Sequence, residues 1–139
     1  MSLNSASKAG DQLGPVKLEP ITRTTLALFA GGSNDHYGIH IDTDYAKIVG
    51  LDDVIGHGML SMALIGRVLN DWAGQANLRG FKCRFVGSTS PGDTPTITAQ
   101  VVEQLEVDGE SRARLELVLT NQIDDVKVTA QAEVALANS

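Results

Sequence analysis

Apolar residues recur at helical spacing in the first half of the 139-residue chain and at every second position after Gly80. The segment "ITRTTLALFAGG" predicts a helix that begins after the N-cap residue Thr22 and ends at Gly31 and Gly32. The segment "DTDYAKIVG" predicts a short second helix that is closed by Gly50. Two helices therefore precede the main run of strands.

A longer helix is predicted by the segment "HGMLSMALIGRVLNDWAG", which starts at His57. Its apolar residues go most of the way round the helix: Met59, Leu60, Met62, Ala63, Leu64, Ile65, Val68, Leu69 and Trp72. Because few polar positions remain, we expect this helix to be largely buried at the centre of the fold.

The alternation after Gly80 predicts antiparallel strands. "RGFKCRFVGSTS" is the first strand, "SPGD" is a turn, and "TPTITAQVVEQLEV" is a long strand with a bulge near Val101 and Val102. Asp108 and Gly109 predict a hairpin turn. Two more strands follow, with apolar residues at Ala113, Leu115, Leu117 and Leu119 and at Val126, Val128, Ala130, Ala132, Val134 and Leu136.

This order of elements, a short leading strand, helices and then antiparallel strands, is typical of an α+β protein. An antiparallel sheet wrapped around the apolar central helix is the compact solution, since each buries the apolar face of the other, and this is a hotdog-like arrangement. We expect a flexible N-terminus over residues 1–10 and a single domain over residues 11–139. The open edges of such a sheet favour dimerisation edge to edge.

Composition and charge narrow the possible partners. A net charge of −6 argues against a nucleic-acid binder, which needs a basic face. Four basic residues around the junction from helix to strand could meet a phosphorylated ligand: Arg67, Arg79, Lys82 and Arg84. No apolar stretch is long enough for a transmembrane helix, and the N-terminus lacks a secretory signal, so we expect no membrane contact and a cytoplasmic location. The single cysteine, Cys83, agrees with that compartment.

The loop "GGSNDHYGIHID", residues 31–42, concentrates titratable side chains. Its glycines favour a tight turn that can bring Asp35 and His40 together, and a carboxylate with an imidazole can activate one water near neutral pH. Asp35 could instead only cap a backbone amide of a solvated turn. A metal site is not expected, because Asp35, His36, His40 and Asp42 match no common zinc spacing and no cysteine joins them.

A second element of a site is Gly58, at the start of the apolar helix. The first amides of a helix have no internal partner, and the helix dipole places partial positive charge there. Because Gly58 has no side chain, a ligand can approach its N–H closely. That N–H would stabilise the oxygen of an enolate that forms when a thioester is attacked at its β-carbon.

Taken in this order and at these separations, "DHYGIHID", "HGML" and "SPGD" resemble the MaoC-like dehydratases, also called (R)-specific enoyl-CoA hydratases. The resemblance covers roughly residues 10 to 136 and implies the hotdog fold. The loop of that family reads Asp-x-Asn-Pro-x-His, and this chain has Tyr37-Gly38 at the Asn-Pro positions. The resemblance implies that Asp35 and His40 are catalytic and that the amide of Gly58 binds the thioester carbonyl.

The same resemblance implies the reaction, which is hydration of a trans-2-enoyl-CoA or dehydration of an (R)-3-hydroxyacyl-CoA. Coenzyme A would be part of the substrate, and no separate cofactor is expected. The residues expected to bind substrate are Tyr37, His57, Met59 and Met62. Two alternatives stay open: a hotdog acyl-CoA thioesterase, and one subunit of a heteromeric hydratase. The assembly is accordingly expected to be a homodimer or a heterodimer with another hotdog chain.

Overall fold

The computed structural model describes residues 2–136 and contains three helices and five strands within that range. The helices are α1 (Arg23–Ser33), α2 (Thr43–Ile48) and α3 (Gly58–Ala73). The strands are β1 (Gln12–Lys17), β2 (Leu78–Phe85), β3 (Thr96–Val107), β4 (Glu110–Thr120) and β5 (Val126–Ala135). Short 3₁₀ turns cover Gly38–His40 and Gln75–Asn77.

The strands form one antiparallel sheet in the order β1-β3-β4-β5-β2. The register between β3 and β4 shifts between Val101 and Glu103, which confirms the predicted bulge. Asp108 and Gly109 both have positive φ, 52° and 79°, and join β3 to β4 as the predicted hairpin turn. Strands β1 and β2 are the two edges of this sheet.

Helix α3 packs on the apolar face of the sheet, and together they form the main core. Ile65 and Leu69 of α3 are fully buried, as are Leu115 of β4 and Val134 of β5. Alternate residues of each strand contribute the apolar face, as the period of two requires. The fold is α+β, and an antiparallel sheet around a long central helix is the predicted hotdog arrangement.

The central helix is less buried than its sequence predicts. One face of α3 is in the core, while Met59, Ala63 and Arg67 are exposed. The other face is not covered by any element in the described range, because the helices α1 and α2 pack mainly near the start of α3, in a second small core. The residues of this second core are Ile21, Leu26, Ala46, Val54 and Leu60.

Helix α1 begins as predicted and ends later than predicted. Thr22 caps it by accepting a hydrogen bond from the amide of Thr25 at 3.0 Å. Gly31 and Gly32 do not stop the helix, because neither adopts positive φ, and the helix continues to Ser33. The left-handed residue that ends it is Asn34, with φ 58°.

Helix α2 agrees with its prediction at both ends. The carboxylate of Asp42 accepts hydrogen bonds from the amides of Asp44 and Tyr45, at 2.9 and 3.1 Å, and so caps the first turn. Gly50 has φ 92° and closes the segment after the helix. Helix α2 is thus fixed directly after the loop that carries His40.

Residues 2–10 make contacts with the domain. The amide of Leu3 donates to the carbonyl of Trp72 at 2.9 Å, and the Leu3 side chain is buried in the main core. The amide of Gly10 donates to the carbonyl of Val101 at 2.8 Å. Leu3 is thus packed on the end of α3, and Gly10 is bonded to the sheet. The expected flexibility of residues 1–10 stays a prediction. Within the described range, none of the helices has the length and hydropathy to cross a membrane.

Candidate active site

His40 lies in the 3₁₀ turn after α1, and its orientation is fixed by a main-chain contact. Its Nδ1 is 2.8 Å from the carbonyl oxygen of Ile55. A carbonyl only accepts hydrogen bonds, so Nδ1 carries the proton and Nε2 of the neutral ring has a free lone pair. That Nε2 is 3.9 Å from Oδ2 of Asp35. The loop therefore brings the two predicted catalytic side chains together.

Asp35 uses its two carboxylate oxygens differently. Oδ1 accepts a hydrogen bond from the amide of Tyr37 at 3.3 Å, and the Asp35 amide donates to Oγ of Ser33 at 3.3 Å. The side chain is 48% exposed, and Oδ2 faces His40. Asp35 thus caps a backbone amide, as expected for a solvated turn, and still presents one oxygen to the imidazole of His40 and to solvent.

His57 lies beneath the pair and is 1% exposed. Its ring stacks on the ring of His40, with centroids 3.9 Å apart and planes at 24°, and it meets Phe29 edge-on at 4.9 Å. Its Nε2 is 3.1 Å from the carbonyl oxygen of Asp35, to which it donates. Burial lowers the pKa of His57, and the neighbouring His40 acts in the same direction, against the hydrogen bond to Asp35.

Gly58 is the first residue of α3, directly after its N-cap residue His57. Within residues 2–136, the amides of Gly58 and Met59 donate to no protein atom, and Gly58 is exposed. A side-chain carbon at Gly58 would lie 3.4 Å from the ring of Phe85, in ordinary van der Waals contact, so the ring of Phe85 borders this helix start. The helix N-terminus therefore presents open N–H groups one residue from the ring under His40.

The Tyr37-Gly38 pair has a structural partner that its motif does not reveal, Tyr45 of α2. A carbon at the Cβ position of Gly38 would lie 2.6 Å from Cδ1 of Tyr45, so the Tyr45 ring packs where only glycine fits. Tyr37 is 52% exposed and meets the rings of Tyr45 and His40 edge-on, at 5.8 and 6.3 Å. No sequence signal links Tyr45 to this loop, since only the fold of α2 brings it there.

The remaining predicted site residues differ in exposure. Met59 is 56% exposed beside Gly58, whereas Met62 is half-buried. His36 is exposed, and the carboxylate of Asp42 caps α2. The contact of Tyr37, His57, Met59 and Met62 with substrate stays a prediction; at 1% exposure, His57 reaches the site through its neighbours.

The four basic residues differ in their ion pairing. Arg79 is paired with Glu110 at 2.7 Å. Arg67, Lys82 and Arg84 are exposed and form no ion pair within residues 2–136. Lys82 and Arg84 line a surface cavity of about 500 Å³ on the sheet, together with Gln131 of β5. Two basic side chains therefore remain open to a ligand on that face.

Asp35, His40 and His57 each offer one ligand atom, and these atoms lie within 4.8 Å of one another. Nε2 of His57 is already bonded to the Asp35 carbonyl, so an ion shared by all three would have to use the unpaired Nδ1 of His57 or replace that bond. The separation of Asp35 and His40 suits proton transfer through one water, and the expected absence of a metal stays a prediction.

The chain belongs to the family of MaoC-like domains, whose profile matches residues 4–123. Over 120 residues, 84% of the chain, it is 28% identical to fatty acid synthase subunit beta from Saccharomyces cerevisiae. Over 63 residues, 45% of the chain, it is 33% identical to 3-hydroxyacyl-thioester dehydratase Z from Mycobacterium tuberculosis. The matches span 6% of the yeast protein and 42% of the mycobacterial one, less than half of either relative.

Solved structures show the same fold. The R-hydratase PhaJ1 from Pseudomonas aeruginosa superimposes with a TM-score of 0.83 at 28% identity, covering 95% of this chain and 83% of that one. The ChsH1-ChsH2 complex from Mycobacterium tuberculosis matches with a TM-score of 0.78 at 25% identity, covering 92% of this chain and 97% of that one. Both the fold and the family predicted from the sequence are therefore confirmed.

Proposed function

We propose that the protein is a hydro-lyase that adds water to a trans-2-enoyl thioester, or removes it from an (R)-3-hydroxyacyl thioester. Family membership and the R-hydratase and dehydratase relatives support this class of reaction. The observation that carries the proposal is the paired geometry of Asp35 and His40, with the free Nε2 of His40 3.9 Å from the carboxylate.

That separation is suited to one water. It exceeds a direct hydrogen bond, yet a water at about 2.8 Å from both atoms can bridge them. In hydration, Nε2 of His40 would accept a proton from this water while its oxygen bonds to the β-carbon, and Asp35 would hold the second hydrogen. The proton then passes from the pair to the α-carbon, so that one water has been added across the double bond.

Negative charge moves onto the thioester oxygen during this step, and the start of α3 is the group that can stabilise it. The open amide of Gly58, backed by the helix dipole, would donate to that oxygen. Acid-base chemistry of this kind needs no separate cofactor. Coenzyme A is the proposed carrier, and exposed Met59 and half-buried Met62 of α3, with Tyr37, are proposed to border the acyl group.

The proposal is tested with crotonyl-CoA and a longer trans-2-enoyl-CoA, by following loss of the conjugated-thioester absorbance. Asp35→Asn and His40→Ala should each lower turnover by about a hundredfold or more, because each removes a positioned acid or base. His36→Ala is the matched control from the same loop and should keep wild-type turnover, since His36 is exposed.

Folding of each variant is checked by circular dichroism. Near-wild-type turnover in a folded Asp35→Asn or His40→Ala variant contradicts the assignment of the pair. Release of free thiol from a saturated acyl-CoA, without hydration, would instead identify the thioesterase alternative, in which water attacks the carbonyl carbon.

For the assembly we propose a homodimer formed along the β2 edge. Strand β2 has no neighbour on its outer side in the described range, and Phe85 and Val86 are about half exposed at its end, with Phe85 near Gly58. Edge pairing would cover this apolar surface and the unpaired backbone groups. The cytoplasmic location expected from the sequence stays a prediction.

Light scattering on the purified protein should give twice the chain mass of 14.7 kDa. An active monomer would contradict the homodimer. A chain that hydrates no enoyl-CoA by itself but gains activity with a second hotdog chain would support the heteromeric alternative, for which the ChsH1-ChsH2 complex is a structural precedent.

A further inference from the structure

His57 makes a combination of contacts that packing alone does not explain. It is 1% exposed, and its Nδ1 is buried with no hydrogen-bond partner in the described range. A buried nitrogen without a partner costs free energy, and an aromatic hydrocarbon ring would fill a similar space without that cost. The features that a phenyl ring could not supply are the N–H of Nε2 and its bond to Asp35.

The hydrogen-bond partner fixes the tautomer of His57. The Asp35 carbonyl only accepts, so Nε2 carries the proton and Nδ1 does not. A second proton on Nδ1 would place a buried charge against the face of His40, with centroids 3.9 Å apart. The charged or titratable groups that face the ring are His40 and Asp35, and its other aromatic neighbour, Phe29, is uncharged.

The contacts of this one ring join all parts of the candidate active site. Nε2 holds the main chain of Asp35, and the face of the ring supports His40. The backbone of His57 is also the N-cap of α3, so the next amide is that of Gly58. His57 thus contacts Asp35 and His40 through its ring and is joined to the amide of Gly58 through its backbone.

We propose that His57, as a neutral Nε2–H imidazole, is a positioning residue that sets the separation and orientation of Asp35 and His40 relative to the Gly58 amide. The expected loss of kcat rests on the proposed hydro-lyase activity. The tautomer of His57 and the effect of His57 on the His40 ring do not rest on it. A small displacement of one catalytic group can lower turnover by about a hundredfold, so loss of either contact should be measurable.

Two variants separate the contacts. His57→Phe keeps the ring but loses the donor, and His57→Gln keeps a donor but loses the stacked ring. Both should lower kcat by about tenfold or more and change KM by less than about threefold, since neither contact is to the substrate. His36→Gln, an exposed histidine of the same loop, is the control and should keep wild-type kcat.

Thermal stability distinguishes positioning from a merely structural role. His57→Phe removes the unpartnered nitrogen, so it should retain a Tm near that of the wild type while kcat falls. A loss of kcat that only follows a fall in Tm, or kcat within twofold of wild type in both variants, would overturn the proposal.

Nitrogen-15 spectra of the three histidine rings test the inference without any substrate. We expect His57 to be a neutral Nε2–H tautomer at pH 8 and to stay neutral at a lower pH than an exposed histidine, because burial lowers its pKa. The ring resonances of His40 should move in both His57 variants but not in His36→Gln. An Nδ1–H tautomer at His57, or unchanged His40 resonances, would overturn the positioning role. An inactive wild type with the expected spectra would leave the tautomer of His57 and its effect on the His40 ring standing and would contradict the proposed function instead.

Discussion

At the scale of single residues, the shape of the loop over residues 31–42 depends on the missing side chain of Gly38 as well as on the side chains that are present. Gly38 is the first residue of the 3₁₀ turn that carries His40, and the ring of Tyr45 occupies the space where a side chain of Gly38 would be. Gly38, which the sequence suggests as a flexible position, is thus tightly packed against Tyr45. The orientation of His40 depends on this packing because His40 is in the same turn.

Gly38→Ala is therefore expected to destabilise the protein by about 1–3 kcal/mol, because the new carbon would be 2.6 Å from Tyr45. Chemical denaturation measures this cost. Gly31→Ala is the matched control, since nothing lies within 4 Å of its Cβ position and α1 includes Gly31; it should be neutral or stabilising by up to about 1 kcal/mol.

The double variant Gly38→Ala/Tyr45→Ala tests the stated cause. With the Tyr45 ring removed, adding the methyl group should cost clearly less than it does in the wild type, which appears as a coupling free energy in a double-mutant cycle. If the methyl group costs the same in both backgrounds, Tyr45 is not the reason for the glycine.

At the scale of elements, the short helix α2 places Tyr45 against Gly38 in the loop over residues 31–42. A six-residue helix is marginal by itself, and its first turn depends on the carboxylate of Asp42, which accepts from two amides. The 3₁₀ turn ends at His40, Ile41 is its C-cap, and Asp42 is the next residue. The cap thus joins the start of the helix to the end of the turn.

Asp42→Ala is expected to lower the free energy of unfolding by about 0.5–2 kcal/mol through loss of this cap. Asp42→Asn, which retains a side-chain oxygen, should recover most of that loss. Urea denaturation of the three proteins gives the comparison, and an Asn variant as unstable as the Ala variant would show that capping is not the main contribution of Asp42.

At the scale of the whole molecule, a network of ion pairs on the sheet makes stability depend on pH. Arg79 and Arg112 both donate to Glu110 and lower the pKa of its carboxyl to about 2 from an ordinary 4.5. The folded state therefore binds the proton less readily than the unfolded state. The stabilising contribution is present above about pH 4.5 and is lost as the pH falls towards 2.

Glu110→Gln should accordingly make the free energy of unfolding less dependent on pH between about pH 4.5 and pH 2, as measured by denaturation at several pH values. Glu106→Gln is the control, because Glu106 is an exposed carboxylate of the same hairpin. An unchanged pH dependence in Glu110→Gln would contradict the role of the network.

Local patterns were sufficient to predict the order and type of the elements. Periodicity of apolar residues depends only on the spacing of side chains along a helix or strand, so it located α3, the strands, the bulge at Val101 and the hairpin turn at Asp108. The end of α1 was wrong because a glycine permits a left-handed residue without requiring one, and here Asn34 adopts it.

The sequence by itself determined the fold class, the family and the residue types at the candidate site, since these follow from short motifs and their order. Only the tertiary structure decided which nitrogen of His40 is free, which ring stacks beneath it and why Gly38 is glycine. The physical reason is that these properties depend on contacts with Ile55, His57 and Tyr45, which come from other segments of the chain. Their distances are set by how the segments pack.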